Sequence, residues 1–338
     1  MLKEKKLNVH FLKKEFCMLR KYQKDAVDSL FQFQNDRPGH SSVIVIPTGG
    51  GKTRVMAEII RRSFEANPNC RGMILSHVKE LLEQSSKTCT HYATTTGLPV
   101  ESIGVYSAAL KRREVKPLTI AGIQSVYRKG ADFGYLDFIM IDECHLISQN
   151  KETMYRKFLS QAKISNSRVK VVGLTATPYR LQSGIIFGHK EKTFDNCCYA
   201  IGVRDLIDEG FLSPLVTMGT SDSPDLKNVR IRAGEYFSKD LDAILENADL
   251  VQSSVKEAIV KASSRKSVLV FASSIKHAEM ILNELKKQGQ SANMITGETH
   301  STIRDFLING FRANSFKWLV NVAVLTTGFD APGIDCVV

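Results

Sequence analysis

At about 150 residues per domain, a chain of 338 residues carries a prior of two domains. With 43% hydrophobic and 24% charged residues it can bury real cores, which excludes disordered, collagenous and small disulfide-scaffold proteins. The net charge of +11 is unevenly held: residues 1–200 carry 31 Lys plus Arg against 18 Asp plus Glu, whereas 201–338 carry 15 against 17, so any affinity for a polyanion belongs to the first part.

The opening MLKEKKLNVHFLKKEF alternates Lys with apolar residues without opening into a secretion signal. No apolar run approaches the roughly eighteen residues of a membrane span, so no membrane partner and a cytoplasmic location are expected. Strand-like runs follow at 42–46, 72–76, 118–121, 138–141 and 169–174, with helical patterns at 54–64 and 79–89. That alternation predicts a mostly parallel sheet covered on both faces, with its ligand at the C-terminal strand ends. A short helix at 203–209 ends at Gly210, and FLSPL leads into a connector containing TSDSPDLKN. A helical segment at 239–262 precedes a second α/β rhythm: strand SVLVFA, helix 275–288, strand ANMIT, helix 303–311, strand WLVNVAVL and a further strand beginning at DCVV. The expected organisation is an α/β first domain at 1–202, a connector at 203–262 and a second, incomplete α/β domain at 263–338, which would make the chain part of something longer. The seven cysteines, Cys17, Cys70, Cys89, Cys144, Cys197, Cys198 and Cys336, include no C-x-x-C pair. Unpaired thiols are expected, with vicinal Cys197 and Cys198 reactive only if exposed.

The most informative segment is VIVIPTGGGKTRVMAEII, in which a β run enters a loop and an amphipathic helix leaves it. Pro47 stands where the usual phosphate-loop pattern has its first glycine, and Thr48, Gly49, Gly50, Gly51 and Lys52 complete a variant of that pattern. Consecutive glycines let backbone N–H groups face phosphate oxygens, and the helix N-terminus adds its dipole. Lys52 is expected to reach the β- and γ-phosphates, and Thr53 to place its hydroxyl on Mg²⁺.

Further on, the apolar run 138–141 ends in Asp142 and Glu143. Paired acids at a buried strand tip, downstream of a phosphate loop, suit a division of labour in which Asp142 holds the metal and Glu143 polarises the attacking water. His145 follows, and LTATPYR offers Thr175 and Thr177 at the next strand end, where hydroxyls near a γ-phosphate can report its presence; packing alone is the competing role for His145.

PTGGGKT, DECH, TATP and VLTTGFDAP resemble the motifs of superfamily 2 helicases and translocases. A fuller set, LRKYQKDAV, LSHVKELLEQ, YSAALKRRE, IDECH, LTATPYRL, VFASSIKHAE and LVNVAVLTTGFDAPGID, resembles the RadD family of bacterial DNA-repair ATPases over about residues 19–338. The resemblance implies two tandem RecA-like domains, ATP with Mg²⁺ as the nucleotide, and DNA, single-stranded or forked, as the partner, with single-strand-binding or other repair proteins as further partners. It implies that Gln23 reads adenine with Tyr22 or Arg20 assisting, consistent with an amide that offers both a donor and an acceptor. It implies a nucleic-acid track through Ser76, His77, Lys79, Gln124 and Ser125, continued by Ser273, Ser274, Thr296 and Thr326, and a place for Gly328 and Asp330 beside the nucleotide when the domains close. The family's arginine-bearing Q-x-x-G-R-x-x-R motif is not found before Val338, so this polypeptide is expected to bind nucleotide and hydrolyse it weakly.

ATP hydrolysis coupled to movement along DNA is therefore the expected function, with unwinding or tracking both open. A nucleotide-gated DNA-binding or remodelling module and an RNA-directed helicase are the alternatives. A small-molecule kinase would need neither the second domain nor TATP and TTGFDAP.

Overall fold

The computed structural model describes residues 19–77, 82, 86–87, 90–91, 99–147, 153–180, 184–188, 192, 194–220, 224–227, 229–232, 235–325, 331 and 333–338. The chain divides into two units, Met1–Pro214 and Leu215–Val338, each built on its own sheet.

In chain order the first unit runs α1 (Lys21–Asp36), β1 (Ser42–Val45), α2 (Lys52–Ala66), β2 (Gly72–Ser76), β3 (Ile103–Ser107), β4 (Arg112–Arg113), β5 (Leu118–Gly122), α3 (Ile123–Val126), β6 (Phe138–Ile141), α4 (Met154–Ser165), β7 (Lys170–Thr175), the small hairpin β8 (Tyr179–Arg180) and β9 (Gly184–Ile185), β10 (Asn196–Ala200) and α5 (Val203–Asp208). The main sheet has the order β10-β1-β7-β6-β2-β5-β3-β4 and is parallel except where β4 folds back on β3. Apolar runs without polar alternation, such as VIV, MIL and FIMI, are what a strand covered on both faces requires. Successive side chains accordingly enter opposite cores. Ile44, Ile74, Met140 and Leu174 pack under α1 and α2, while Val43, Leu75, Ile139 and Ile141 pack under α3 and α4.

The expected strands at 42–46, 72–76, 118–121, 138–141 and 169–174 all form, to within a residue or two. Strands β3 and β10 and helices α1 and α4 were not anticipated. The helix expected at 79–89 lies mostly outside the described residues. The segment expected as a connector, 203–262, is crossed by the boundary between the units, and α5 inserts Leu206 into the core of the first.

The second unit contains the hairpin β11 (Ile231–Arg232) and β12 (Glu235–Tyr236), helices α6 (Ser238–Leu245) and α7 (Ala248–Lys261), then β13 (Val268–Phe271), α8 (Ile275–Lys287), β14 (Ala292–Ile295), α9 (Ser301–Arg312), β15 (Trp318–Asn321) and β16 (Cys336–Val337). Its parallel sheet has the order β14-β15-β13-β16. Val268, Val270 and Trp318 face α7 and α8, and Leu269 and Leu319 face Phe311 of α9. The single helix expected at 239–262 is two, because the Asn247 side chain accepts from the amides of Asp249 and Leu250 at 3.0 and 3.1 Å and starts a new helix. The long strand expected from WLVNVAVL stops at Asn321, whose buried amide donates to the Val270 carbonyl (2.9 Å) and accepts from the Leu325 amide (3.3 Å), turning the chain out of the ladder. Both units are thus doubly wound α/β domains of the RecA-like kind, the second smaller.

Among the described residues no helix is long and apolar enough to cross a membrane. Cys197 and Cys198 are partly buried, and burial raises both thiols, Cys198 to about 11, so neither is a ready thiolate.

Candidate functional site

Strands β1, β7 and β6 lie side by side, so the loops at their C-terminal ends, PTGGGK, TATP and DECH, meet at one edge of the first sheet. After β1 the chain continues through Ile46, whose amide donates to the Thr175 carbonyl (3.0 Å), and turns with the Gly50 amide on the Pro47 carbonyl (3.0 Å). Gly51 has φ +80°, a left-handed conformation that favours glycine, and caps α2; a Cβ there would meet Gln23 Nε2 at 2.5 Å and push that amide aside. Lys52 and Thr53 open α2 at the loop's exit.

Asp142 follows the buried strand β6, and its amide donates to the Leu75 carbonyl (3.1 Å). Glu143 adopts the left-handed conformation, φ +47° and ψ +49°, an unusual geometry for a non-glycine residue that swings its carboxylate back toward the loop. Its Oε1 lies 3.5 Å from Lys52 Nζ and its Oε2 3.4 Å from His145 Nδ1. His145 Nδ1 is also 2.8 Å from Thr175 Oγ1, which accepts from the Thr177 amide at 3.0 Å. Lys52, Glu143, His145, Thr175 and Thr177 therefore form one continuous set of contacts from the phosphate loop to the end of β7.

Burial and the neighbouring Glu143 charge push the Asp142 carboxyl up to about 6, against the opposing pull of Lys52. Burial likewise lowers the His145 imidazole, which favours its neutral form. A buried carboxylate with so little compensating charge, next to a glycine loop that presents Lys52 and Thr53, fits a divalent cation with its polyphosphate. Asp142 and Thr53 are the residues that would hold the ion.

Gln23 is buried, 1% exposed, and its amide is engaged on both sides: Nε2 donates to the Gly50 carbonyl (2.9 Å), and Oε1 accepts from the Arg20 amide (3.0 Å). Tyr22 OH donates to the same Gly50 carbonyl at 2.7 Å. These two side chains brace the phosphate loop from α1, so the group expected to read a base also holds backbone. Arg20 Nη1 donates to Tyr22 OH (3.3 Å), and its guanidinium lies 4.7 Å from the Phe211 ring centroid. Phe211, Leu206 and Leu212 were not anticipated as site residues; GFL after a short helix reads as an ordinary turn.

Farther along the same sheet edge, Gln124 Nε2 donates to the His77 carbonyl (2.9 Å) and Ser125 Oγ accepts from the Ala108 amide (2.9 Å). These bonds join the loops after β2, β3 and β5, while Ser76 is fully buried. Arg112, one of the basic residues of the β3–β4 hairpin, is paired with Glu114 at 2.8 Å, and Lys129 Nζ lies 3.0 Å from Tyr106 OH. In the second unit, Ser273 Oγ is 3.2 Å from His277 Nδ1, Ser274 caps α8, and Thr296 is buried beneath the turn that Arg304 closes. Lys79, Thr326, Gly328 and Asp330 lie outside the described residues.

Residues 16–180 match the family model described as type III restriction enzyme, res subunit, and residues 250–338 match the helicase conserved C-terminal domain. The chain is 26% identical over 332 residues to IRC3 of Saccharomyces cerevisiae, a candidate ATP-dependent helicase, covering 95% of this chain and 46% of that protein. It is 28% identical over 326 residues to the irc3 protein of Schizosaccharomyces pombe, a candidate mitochondrial ATP-dependent helicase, covering 94% and 51%. The chain thus spans about half the length of these relatives. Its fold is similar to that of the Pyrococcus furiosus Hef helicase domain, with a TM-score of 0.58 at 15% identity over 96% of this chain and 90% of that one. With a glycine loop and an Asp-Glu strand tip in the first unit and a helicase C-terminal domain in the second, the chain has the domain architecture of a superfamily 2 helicase or translocase.

Proposed function

We propose that this chain is the motor core of a DNA-dependent ATPase of the RadD-like branch, one that couples ATP hydrolysis to movement along DNA. The observation that carries the reading is the contact set running from Lys52 through Glu143 and His145 to Thr175 and Thr177. Lys52 turns from Glu143 to the triphosphate when ATP is held, which frees the Glu143 carboxylate to orient water and take its proton. Asp142 and Thr53 would hold Mg²⁺, which would supply charge neutralisation to the polyphosphate. His145, neutral and bound to Thr175, senses the position of Glu143 and passes it to the end of β7. Arg20, Tyr22 and Gln23 form the adenine side, with Gln23 acting through the loop as well as the base.

Titration calorimetry tests the nucleotide reading. ATP with Mg²⁺ is expected to bind the chain, and Lys52→Ala to weaken that binding at least about tenfold while the protein stays folded, since its side chain serves the loop rather than a core. Absence of binding by the unaltered chain at millimolar ATP would defeat the reading.

DNA is proposed as the polymer because the motif set resembles RadD and the basic excess lies in the first 200 residues. The joined loops after β2, β3 and β5 suit phosphate contacts rather than base reading. Affinity for single-stranded DNA is expected to fall about tenfold or more between about 50 and 200 mM salt and to vary little among mixed sequences. Filter binding or fluorescence anisotropy across a salt series measures this, and a salt-independent affinity would remove the polyanion face. In the longer protein, stimulation of ATP hydrolysis by RNA but not by DNA of the same sequence would reassign the polymer.

A further inference from the structure

We propose that Phe211 is a positioning residue for the base side of the nucleotide site, holding Arg20 and Tyr22 in place through its ring. The inference rests on the reading of the glycine loop as an ATP site and extends it to a residue at the far end of the first unit's sequence.

The corner that carries Phe211 is rigidly built. Helix α5 ends at Asp208, Gly210 two residues on reverses the chain with a φ of +74°, and the amides of Phe211 and Leu212 both donate to the Leu206 carbonyl, at 2.8 and 2.9 Å. Two bonds to one acceptor leave the directions of the two side chains little freedom. Leu206 is fully buried in the same core as Tyr22 and Ile46. A Cβ placed on Gly50 would come within 3.2 Å of Leu206 Cδ1, and one on Gly49 within 3.0 Å of Leu212 Cδ2. The two leucines therefore wall the outside of the phosphate loop, and Phe211 stands between that wall and α1.

Its ring is tilted 55° against Tyr22 with centroids 5.2 Å apart, and Arg20 Cζ sits 4.7 Å from its centroid. Arg20 reaches Tyr22 OH, and Tyr22 OH reaches the Gly50 carbonyl. A guanidinium settled on an aromatic face has already given up much of the side-chain freedom that ligand binding would otherwise remove, so the base meets a preorganised surface. Without Phe211 the phosphate loop keeps its leucine wall and its Gln23 brace even where the Tyr22 contact loosens, so the loss falls mainly on the base contribution.

The test is calorimetric titration of Mg-ATP and, separately, of inorganic tripolyphosphate into the unaltered chain and into Phe211→Ala, Phe211→Leu, Phe211→Tyr, Arg20→Ala and the Arg20→Ala/Phe211→Ala double variant. Phe211→Ala is expected to weaken ATP about tenfold and tripolyphosphate less than threefold. Phe211→Leu, which keeps the apolar filling and loses the ring, is expected to match it, so the result does not depend on a folding defect. Phe211→Tyr is expected to restore ATP affinity to within threefold. The double variant is expected to be no weaker than Arg20→Ala by more than threefold, because both changes remove one device. An ATP effect below threefold in Phe211→Leu, an equal loss of tripolyphosphate affinity, or losses that multiply in the double variant would overturn the inference. Failure of the unaltered chain to bind ATP at all would instead defeat the nucleotide reading on which it rests.

Discussion

Replacing Glu143 with glutamine is expected to slow ATP hydrolysis by the full protein at least about 100-fold, within the range assigned to acid–base groups, with ATP and DNA affinities held within about threefold. The amide keeps the size and hydrogen-bonding reach of the carboxylate and loses the capacity to take a proton. It also removes the charge that pairs with Lys52 at 3.5 Å, where the two side chains are only 12% and 14% exposed. Lys52 then has less to hold it away from the triphosphate, so binding is expected to stay equal or tighten. The left-handed backbone at Glu143 serves glutamine as well as glutamate, so the substitution adds no new strain. Steady-state hydrolysis within threefold of the unaltered enzyme, measured with saturating DNA, would remove Glu143 from the water-activating role.

Asp142→Asn is expected to have opposite effects on stability and on binding. The Asp142 carboxyl is pushed up to about 6, principally by burial, above its unfolded value near 3.8. A carboxyl raised on folding is penalised once it must ionise: the penalty is absent below about pH 4, grows through the interval from about 4 to 6, and is complete above it. A shift of about two pH units corresponds to about 3 kcal/mol. In the presence of a metal chelator, Asp142→Asn is therefore expected to be more stable than the unaltered protein at pH 8, by up to about that amount, and no more stable at pH 4. The same change removes the carboxylate proposed to hold the ion, so the Mg²⁺-dependent part of ATP affinity is expected to fall at least about tenfold. Denaturant melts at the two pH values, together with ATP titrations with and without Mg²⁺, measure both. Equal stability at pH 8 would show that Asp142 is better compensated than its surroundings imply.

The two expectations connect through one physical fact. Asp142 and Glu143 are adjacent acids brought to a buried strand tip with Lys52 as their close counter-charge, an arrangement that is costly for the free protein. On the proposed reading a cation and a polyphosphate would share that charge and offset the cost, the ordinary balance between stability and function at a binding site.

What could be read without coordinates was local. Apolar runs such as FIMI and VIVI must be buried strands because nothing in them is fit to face water, and three glycines before Lys-Thr must be a loop because no regular element tolerates them. Asp142 and Glu143 then follow at a strand tip by simple continuation of the chain. The breaks inside the second unit were not legible, because Asn247 and Asn321 interrupt a helix and a strand through single amide contacts whose partners appear only in the fold. Only the tertiary structure decided how the site is assembled. The strand order β1-β7-β6 brings residues 47–53, 142–145 and 175–177 to one sheet edge, the left-handed turn at Glu143 aims its carboxylate at both Lys52 and His145, and Gln23 is committed to the Gly50 carbonyl. Phe211 illustrates the limit most clearly. Its sequence surroundings mark a turn, and its place beside Arg20 and Tyr22 depends on long-range packing of the turn after α5 against the start of α1, which no periodicity in the chain encodes.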